Sequence, residues 1–195
     1  MEPLYGRREI LAQARDWLAR ACAGAGRLVL FTGEPGIGKS RLAEQVALEA
    51  AALGAATAWG RCWEAGGAPA YWPWIQVFRE LAMNEDPFVG AAAGVALDAP
   101  EARFAAFDRA VRSLRERAAQ RPLLLVLDDL HAADAPSLLL LLLLSRALAR
   151  SPILVVGAYR DAELQLTPEL APLLAKVARE AELVPLSRLD ASDVA

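Results

Sequence analysis

Cysteine is almost absent from this chain. Cys22 and Cys62 are its 2 thiols, too few for a disulfide framework and without the spacing of a metal site. Both are expected to be reduced and partly buried. An excess of basic charge is missing too: 21 Lys and Arg face 24 Asp and Glu, a net charge of −3. That argues against gripping nucleic acid through a basic face, and no salt-dependent binding to duplex DNA is expected. The longest leucine run, Leu138 to Leu144, falls far short of a membrane span, which needs ~18 or more apolar residues. The opening residues, MEPLYGRREI, hold no apolar signal core. Internal repeats and low-complexity linkers are lacking. Residues 1–195 therefore read as a single domain of a soluble, cytoplasmic protein with no membrane partner.

What the chain does have is a hydrophobic fraction of 55% with 23% charged residues, the make-up of a globular core. The rest is organised around Leu28 to Ser40, LVLFTGEPGIGKS. An apolar strand meets a glycine-rich turn, and a helix-forming segment follows. This is the G-x-x-x-x-G-K-[ST] pattern of a P-loop (Walker A) in the strand–turn–helix context that confirms it. Gly33, Gly36 and Gly38 allow backbone conformations in which N–H groups converge on phosphate. The helix points its positive end at the same place. Lys39 supplies a cation for the β- and γ-phosphates, and the Ser40 hydroxyl is a Mg²⁺ ligand.

In order, the spacing predicts a helix over 7–23, a strand over 27–32, the P-loop helix over 39–53 and a weaker strand over 56–61. Residues 62–74 form a loop rich in Gly, Pro and aromatics. Its Trp63, Tyr71, Trp72 and Trp74 either stack on a base or partner or pin a long insertion to the domain. A helix from Pro73 to about Met83 follows. Pro87 and Pro100 then punctuate an alanine-rich stretch expected to be mobile. Over 101–120, Phe104, Phe107, Val111, Leu114 and Ala118 make one helical face, and the arginines over the rest read as solvated. The run LLLVL at 123–127 reads as a strand buried on both faces, ending in Asp128 and Asp129. A deeply buried helix over 136–149, a strand over 152–159 ending at Arg160, a helix over 168–180 and a strand over 182–187 complete the chain. Alternating strands and helices predict a doubly wound parallel α/β sheet, with ligands at the carboxyl ends of the strands.

Asp128, after an apolar strand, occupies the place of a Walker B aspartate and would hold Mg²⁺ beside Ser40. Asp129 is placed to orient or deprotonate an attacking water, or else caps a turn. Arg160 is where a cation reaches a γ-phosphate, or else pairs with Asp161 or Glu163. His131, the only histidine, either relays nucleotide state or hydrogen-bonds a strand end.

The blocks YGRREIL (5–11), GEPGIGKSRL (33–42), GRCWEAGGAPAYWPW (60–74), LLLVLDDLHAADAPSL (123–138) and LVVGAYRDAEL (154–164) occur in this order. Together they resemble the N-terminal ATPase module of the STAND class of P-loop NTPases. The resemblance is to its AAA-type branch, found in large ATP-binding LuxR-family transcriptional regulators and bacterial multidomain adenylate cyclases. It implies a three-layer P-loop NTPase core with a five-stranded parallel sheet of order 5-1-4-3-2 and ATP or ADP with Mg²⁺. It implies that Gly6 and Arg7 line the adenine side, and that Gly33, Glu34, Pro35, Gly36, Ile37, Gly38, Lys39, Ser40 and Arg41 hold the nucleotide. Lys39, Ser40, Asp128 and Asp129 match the Walker residues, and Arg160 matches the arginine of the sensor strand. Ala132 stands where the family often has tryptophan.

Family members continue into a lid, a winged helix, a helical-repeat sensor and, in regulators, a helix-turn-helix. The expectation is therefore the nucleotide-binding core of a longer protein, with partners in its C-terminal domains and nucleotide-dependent self-association. The function expected is a slow Mg²⁺-dependent ATPase acting as a switch in signalling or transcription regulation. A nucleotide-binding scaffold without turnover and a small-molecule P-loop kinase are the alternatives.

Overall fold

The computed structural model describes residues 7–65, 67–83, 87–88, 99–164 and 168–188. Gly6, most of the alanine-rich stretch and the last seven residues lie outside the described residues.

Five strands form one parallel sheet: β1 (Arg27–Thr32), β2 (Ala56–Arg61), β3 (Leu123–Asp128), β4 (Ile153–Ala158) and β5 (Glu182–Pro185). Their order is β2-β3-β4-β1-β5, which from the other edge is the expected 5-1-4-3-2. The helices are α1 (Arg8–Cys22), α2 (Lys39–Ala52), α3 (Trp72–Glu80), α4 (Pro100–Gln120), α5 (Ala135–Ala147), the short α6 (Asp161–Leu164) and α7 (Ala171–Arg179).

Side chains alternate across a strand, so each central strand feeds two cores. Val29 and Phe31 of β1, Leu124 and Val126 of β3, and Leu154 and Val156 of β4 pack with α1 and α2. Leu28, Leu30, Leu123, Leu125, Ile153 and Val155 face the opposite layer, built from α3, α4, α5 and α7. All six residues of β3 and of β4 are buried, as their unbroken apolar runs require. The result is three layers, helix–sheet–helix, with the strands sandwiched. No described helix is long and apolar enough to cross a membrane.

The start of α5 is fixed by Asp134, whose carboxylate accepts from Ser137 N at 2.8 Å and Ser137 Oγ at 2.6 Å, with Pro136 in the first turn. Tyr71 stacks on Phe88 at 4.6 Å and meets Phe107 edge-on. Trp74 is buried and donates from Nε1 to the Ser137 carbonyl at 3.0 Å. These two rings pin the 62–74 loop to the domain. Trp63 instead stands exposed, and Trp72 lies beneath the Arg79 guanidinium.

Several expectations need correction. The strand read over 123–127 closes on Asp128 as expected, but Asp129 lies beyond it, leading into a 3-10 turn over Leu130–Ala132. The helix read from 168 begins at Ala171. Cys22 is exposed, while Cys62 is buried. Phe104 does not join the buried face of α4; it is 65% exposed. It sits about 60° around the helix from Phe107. The stripe that packs turns the other way, through Ala106 and Ala110. Alanines carry too little hydropathy to mark a face, yet their small size lets the helix pack closely against α5.

Candidate functional site

The register of the sheet sets the site. Phe31 pairs with Ala158, Leu127 with Gly157 and Arg61 with Asp128. The carboxyl ends of β1, β2, β3 and β4 therefore finish at one level. The glycine-rich loop, the two aspartates and Arg160 all emerge from this edge, the usual ligand side of an open parallel sheet.

The loop from Gly33 to Gly38 runs through left-handed backbone at three glycines, with φ of 140° at Gly33, 74° at Gly36 and 98° at Gly38. A Cβ at Gly33 would meet the Leu186 carbonyl oxygen at 2.7 Å. Gly38 is the residue before α2, so the helix N-terminus opens directly onto the loop. Lys39 is buried and donates from Nζ to the carbonyls of Gly33 at 2.8 Å and Glu34 at 2.9 Å. Burial lowers its pKa, with the Arg160 charge adding to the effect and Asp128, Asp129 and Asp161 opposing it. Ser40 follows, half-buried at the start of the helix. Ile37 is half-buried against the α1–α2 side, Pro35 and Arg41 are exposed, and Glu34 pairs with Arg188 at 2.7 Å.

Asp128 is buried. Its Oδ1 accepts from Asp129 N at 3.0 Å, and its Oδ2 lies 3.2 Å from Arg61 Nη2. Asp129 has φ of 58°, a left-handed turn where β3 gives way to the 3-10 segment. Burial raises the Asp129 pKa, and the neighbouring Asp128 charge raises it further. Arg160 reaches Glu163 at 2.6 Å, Glu64 at 2.9 Å and Asp129 at 3.8 Å. The expected alternative partner, Glu163, is thus the one it holds. Arg7 is buried and donates to the Ser187 carbonyl at 2.6 Å, tying the start of α1 to the segment after β5.

His131 is buried with Nε2 at 3.1 Å from Glu64 and 3.0 Å from Glu163. It therefore joins a carboxylate pair instead of a strand end. Sequence reasoning passed over Arg61, Glu64 and Glu163 as site residues. Arg61 carried one usable signal: it is the last residue of a strand, on the side where ligands bind.

An amide-lined loop with a buried lysine suits a polyphosphate. Ser40 and Asp128 offer hard oxygen ligands, the donor chemistry that suits Mg²⁺.

The family model described as AAA ATPase domain matches residues 3–156. Comparison with curated proteins gives no match. Among solved structures, the ORC2 protein of Aeropyrum pernix, in ADPNP–ADP complexes, is similar at 22% identity and a TM-score of 0.60, over 93% of this chain and 48% of that one. Cdc6p from Pyrobaculum aerophilum is similar at 20% identity and a TM-score of 0.59, over 94% of this chain and 46% of that one. The chain spans about half the length of these structures. At such identities the likeness is one of fold.

Proposed function

The chain belongs to the AAA ATPase domain family, and from that membership we propose an ATP-binding, weakly ATP-hydrolysing switch module of a larger signalling or transcription-regulating protein. The observation that carries this reading is the meeting of Lys39, Asp128, Asp129 and Arg160 at one sheet edge, close enough for their charges to act on one another. In this reading the loop amides and Lys39 bind the β- and γ-phosphates of ATP. Mg²⁺, held by Ser40 and Asp128, would neutralise phosphate charge. Asp129 accepts a proton from the attacking water, and its raised pKa makes it a stronger base than an ordinary aspartate. Arg160 meets the γ-phosphate, and the STAND resemblance implies that Gly6 and Arg7 line the adenine side. The STAND resemblance supports the switch role, C-terminal partner domains, self-association driven by nucleotide, and a cytoplasmic setting. ATP and ADP would bias it between two states only through unequal affinity for them.

Titration calorimetry with ATP and with ADP, each with Mg²⁺, tests the reading beside Lys39→Ala. Binding by the wild type that disappears in the variant supports it; a folded wild type that binds neither nucleotide overturns it.

A scaffold that binds nucleotide without turnover is the second reading. It is favoured by exposed Trp63, at 56% of its surface, in the aromatic loop. Phosphate release that is unchanged in Asp129→Asn would leave only this reading standing.

A further inference from the structure

Arg160 is not the only charged group crowded at the end of β4. Glu64, in the loop after β2, and Glu163, in α6, both reach its guanidinium, at 2.9 Å and 2.6 Å. The same two carboxylates flank His131 Nε2 at 3.1 Å and 3.0 Å. The His131 side chain is 3% exposed, and its Nδ1 has no hydrogen-bond partner among the described residues. Its Nε2 thus bridges the two carboxylates. Glu64, His131 and Glu163 place ligand atoms within 4.8 Å of one another, a geometry a divalent metal could use. Arg160 already draws on an oxygen of each carboxylate, so a guanidinium supplies the positive charge there.

The guanidinium also lies within reach of the phosphate site. Its charge is felt at Lys39, and it stands 3.8 Å from Asp129. A planar fork that binds two carboxylates binds phosphate oxygens equally well. It cannot serve both fully at once.

We propose that Glu64 and Glu163 are positioning residues that clamp Arg160, so that a γ-phosphate is engaged only by taking the guanidinium from them. This rests on the nucleotide reading above. ADP, with no γ-phosphate, has no need to open the clamp. The clamp therefore sets the preference between ATP and ADP, and it penalises ATP in the resting chain.

Calorimetry with Mg-ATP and Mg-ADP on the full chain reads this as a ratio of affinities. Glu64→Gln and Glu163→Gln are each expected to raise the ATP-to-ADP ratio about threefold, the scale of a partly exposed ion pair. ADP affinity is expected to stay at the wild-type value, which also reports an intact fold. In an Arg160→Ala background, Glu163→Gln is expected to leave the ratio where Arg160→Ala alone puts it. An unchanged ratio in both carboxylate variants, with ATP still bound, overturns the clamp while the nucleotide reading stands. So does the same rise in the absence of Arg160, because the carboxylates would then act by charge alone. A wild type that binds neither nucleotide overturns both.

Discussion

Arg61 and Asp128, the paired last residues of β2 and β3, meet side chain to side chain, with Arg61 Nη2 3.2 Å from Asp128 Oδ2. The aspartate is 3% exposed and the arginine 62%. A buried carboxylate thus has its neutralising charge reaching in from solvent. The same carboxylate is the proposed Mg²⁺ ligand, so the arginine and the ion would share one partner.

Removing the arginine leaves the Asp128 carboxylate with the Asp129 N–H as its one remaining hydrogen bond among the described contacts. Arg61→Ala is expected to lower stability by about 1 kcal/mol, kept small because the arginine arm is solvated. The loss should shrink when Mg²⁺ and ATP are present, since the ion would take over the charge. Thermal melting with and without Mg-ATP measures both; an equal loss in the two conditions would separate Arg61 from the metal site.

The Asp129 carboxyl titrates above its ordinary value because burial and Asp128 disfavour its charged form. The folded chain therefore holds this proton more tightly than the unfolded one. As pH rises from the unfolded pKa through the raised folded pKa, stability falls, and the penalty persists at neutral pH. Asp129→Asn removes that penalty. Asparagine also tolerates the φ of 58° at this position. The variant is expected to be more stable than wild type at neutral pH, with the gap closing as pH falls below the folded pKa. Denaturant titrations across that range check it. In the same window the wild-type ATPase rate should drop with falling pH, as the base is protonated.

How much of this was legible beforehand depended on range along the chain. The P-loop is one contiguous run, and β3 and β4 are unbroken apolar stretches, so both could be read directly. The strand order came from family resemblance, because spacing alone does not order a sheet. The clamp on Arg160 and the Arg61–Asp128 pair were not legible. Arg61 and Asp128 are 67 positions apart, as are Glu64 and His131. Nothing local distinguishes Glu64 from a solvated surface acid. Only the register of β2 against β3 brings it to the site.

The two thiols differ in setting. Cys22 closes α1 in the open, whereas Cys62 is buried just after β2, where burial pushes its thiol up, away from thiolate. A thiol reagent at neutral pH is expected to label Cys22 in the native chain and Cys62 only on unfolding. Cys22→Ser should abolish native labelling. Mass spectrometry of labelled peptides reads this, and native labelling at Cys62 would mean that the loop after β2 opens.

Gly60 tests how tightly the site's frame is set. A Cβ there would run into the Pro73 carbonyl, because the first turn of α3 lies directly on β2. A backbone group cannot swing aside as a side chain would, so Gly60→Ala must shift either α3 or the strand. A loss of about 2 kcal/mol or more is expected. Gly24→Ala is the comparison: it has open space but φ of 88°, and should lose about 1 kcal/mol through backbone strain alone. Urea midpoints rank the two. The functional consequence separates them further. Arg61 is the next residue after Gly60, so displacing β2 pulls the arginine from Asp128 and carries Glu64 with it. Gly60→Ala should therefore disturb the ATP-to-ADP affinity ratio, while Gly24→Ala, beyond the end of α1, should leave it unchanged. If both variants keep the wild-type ratio, the end of β2 does not control the phosphate side of the site.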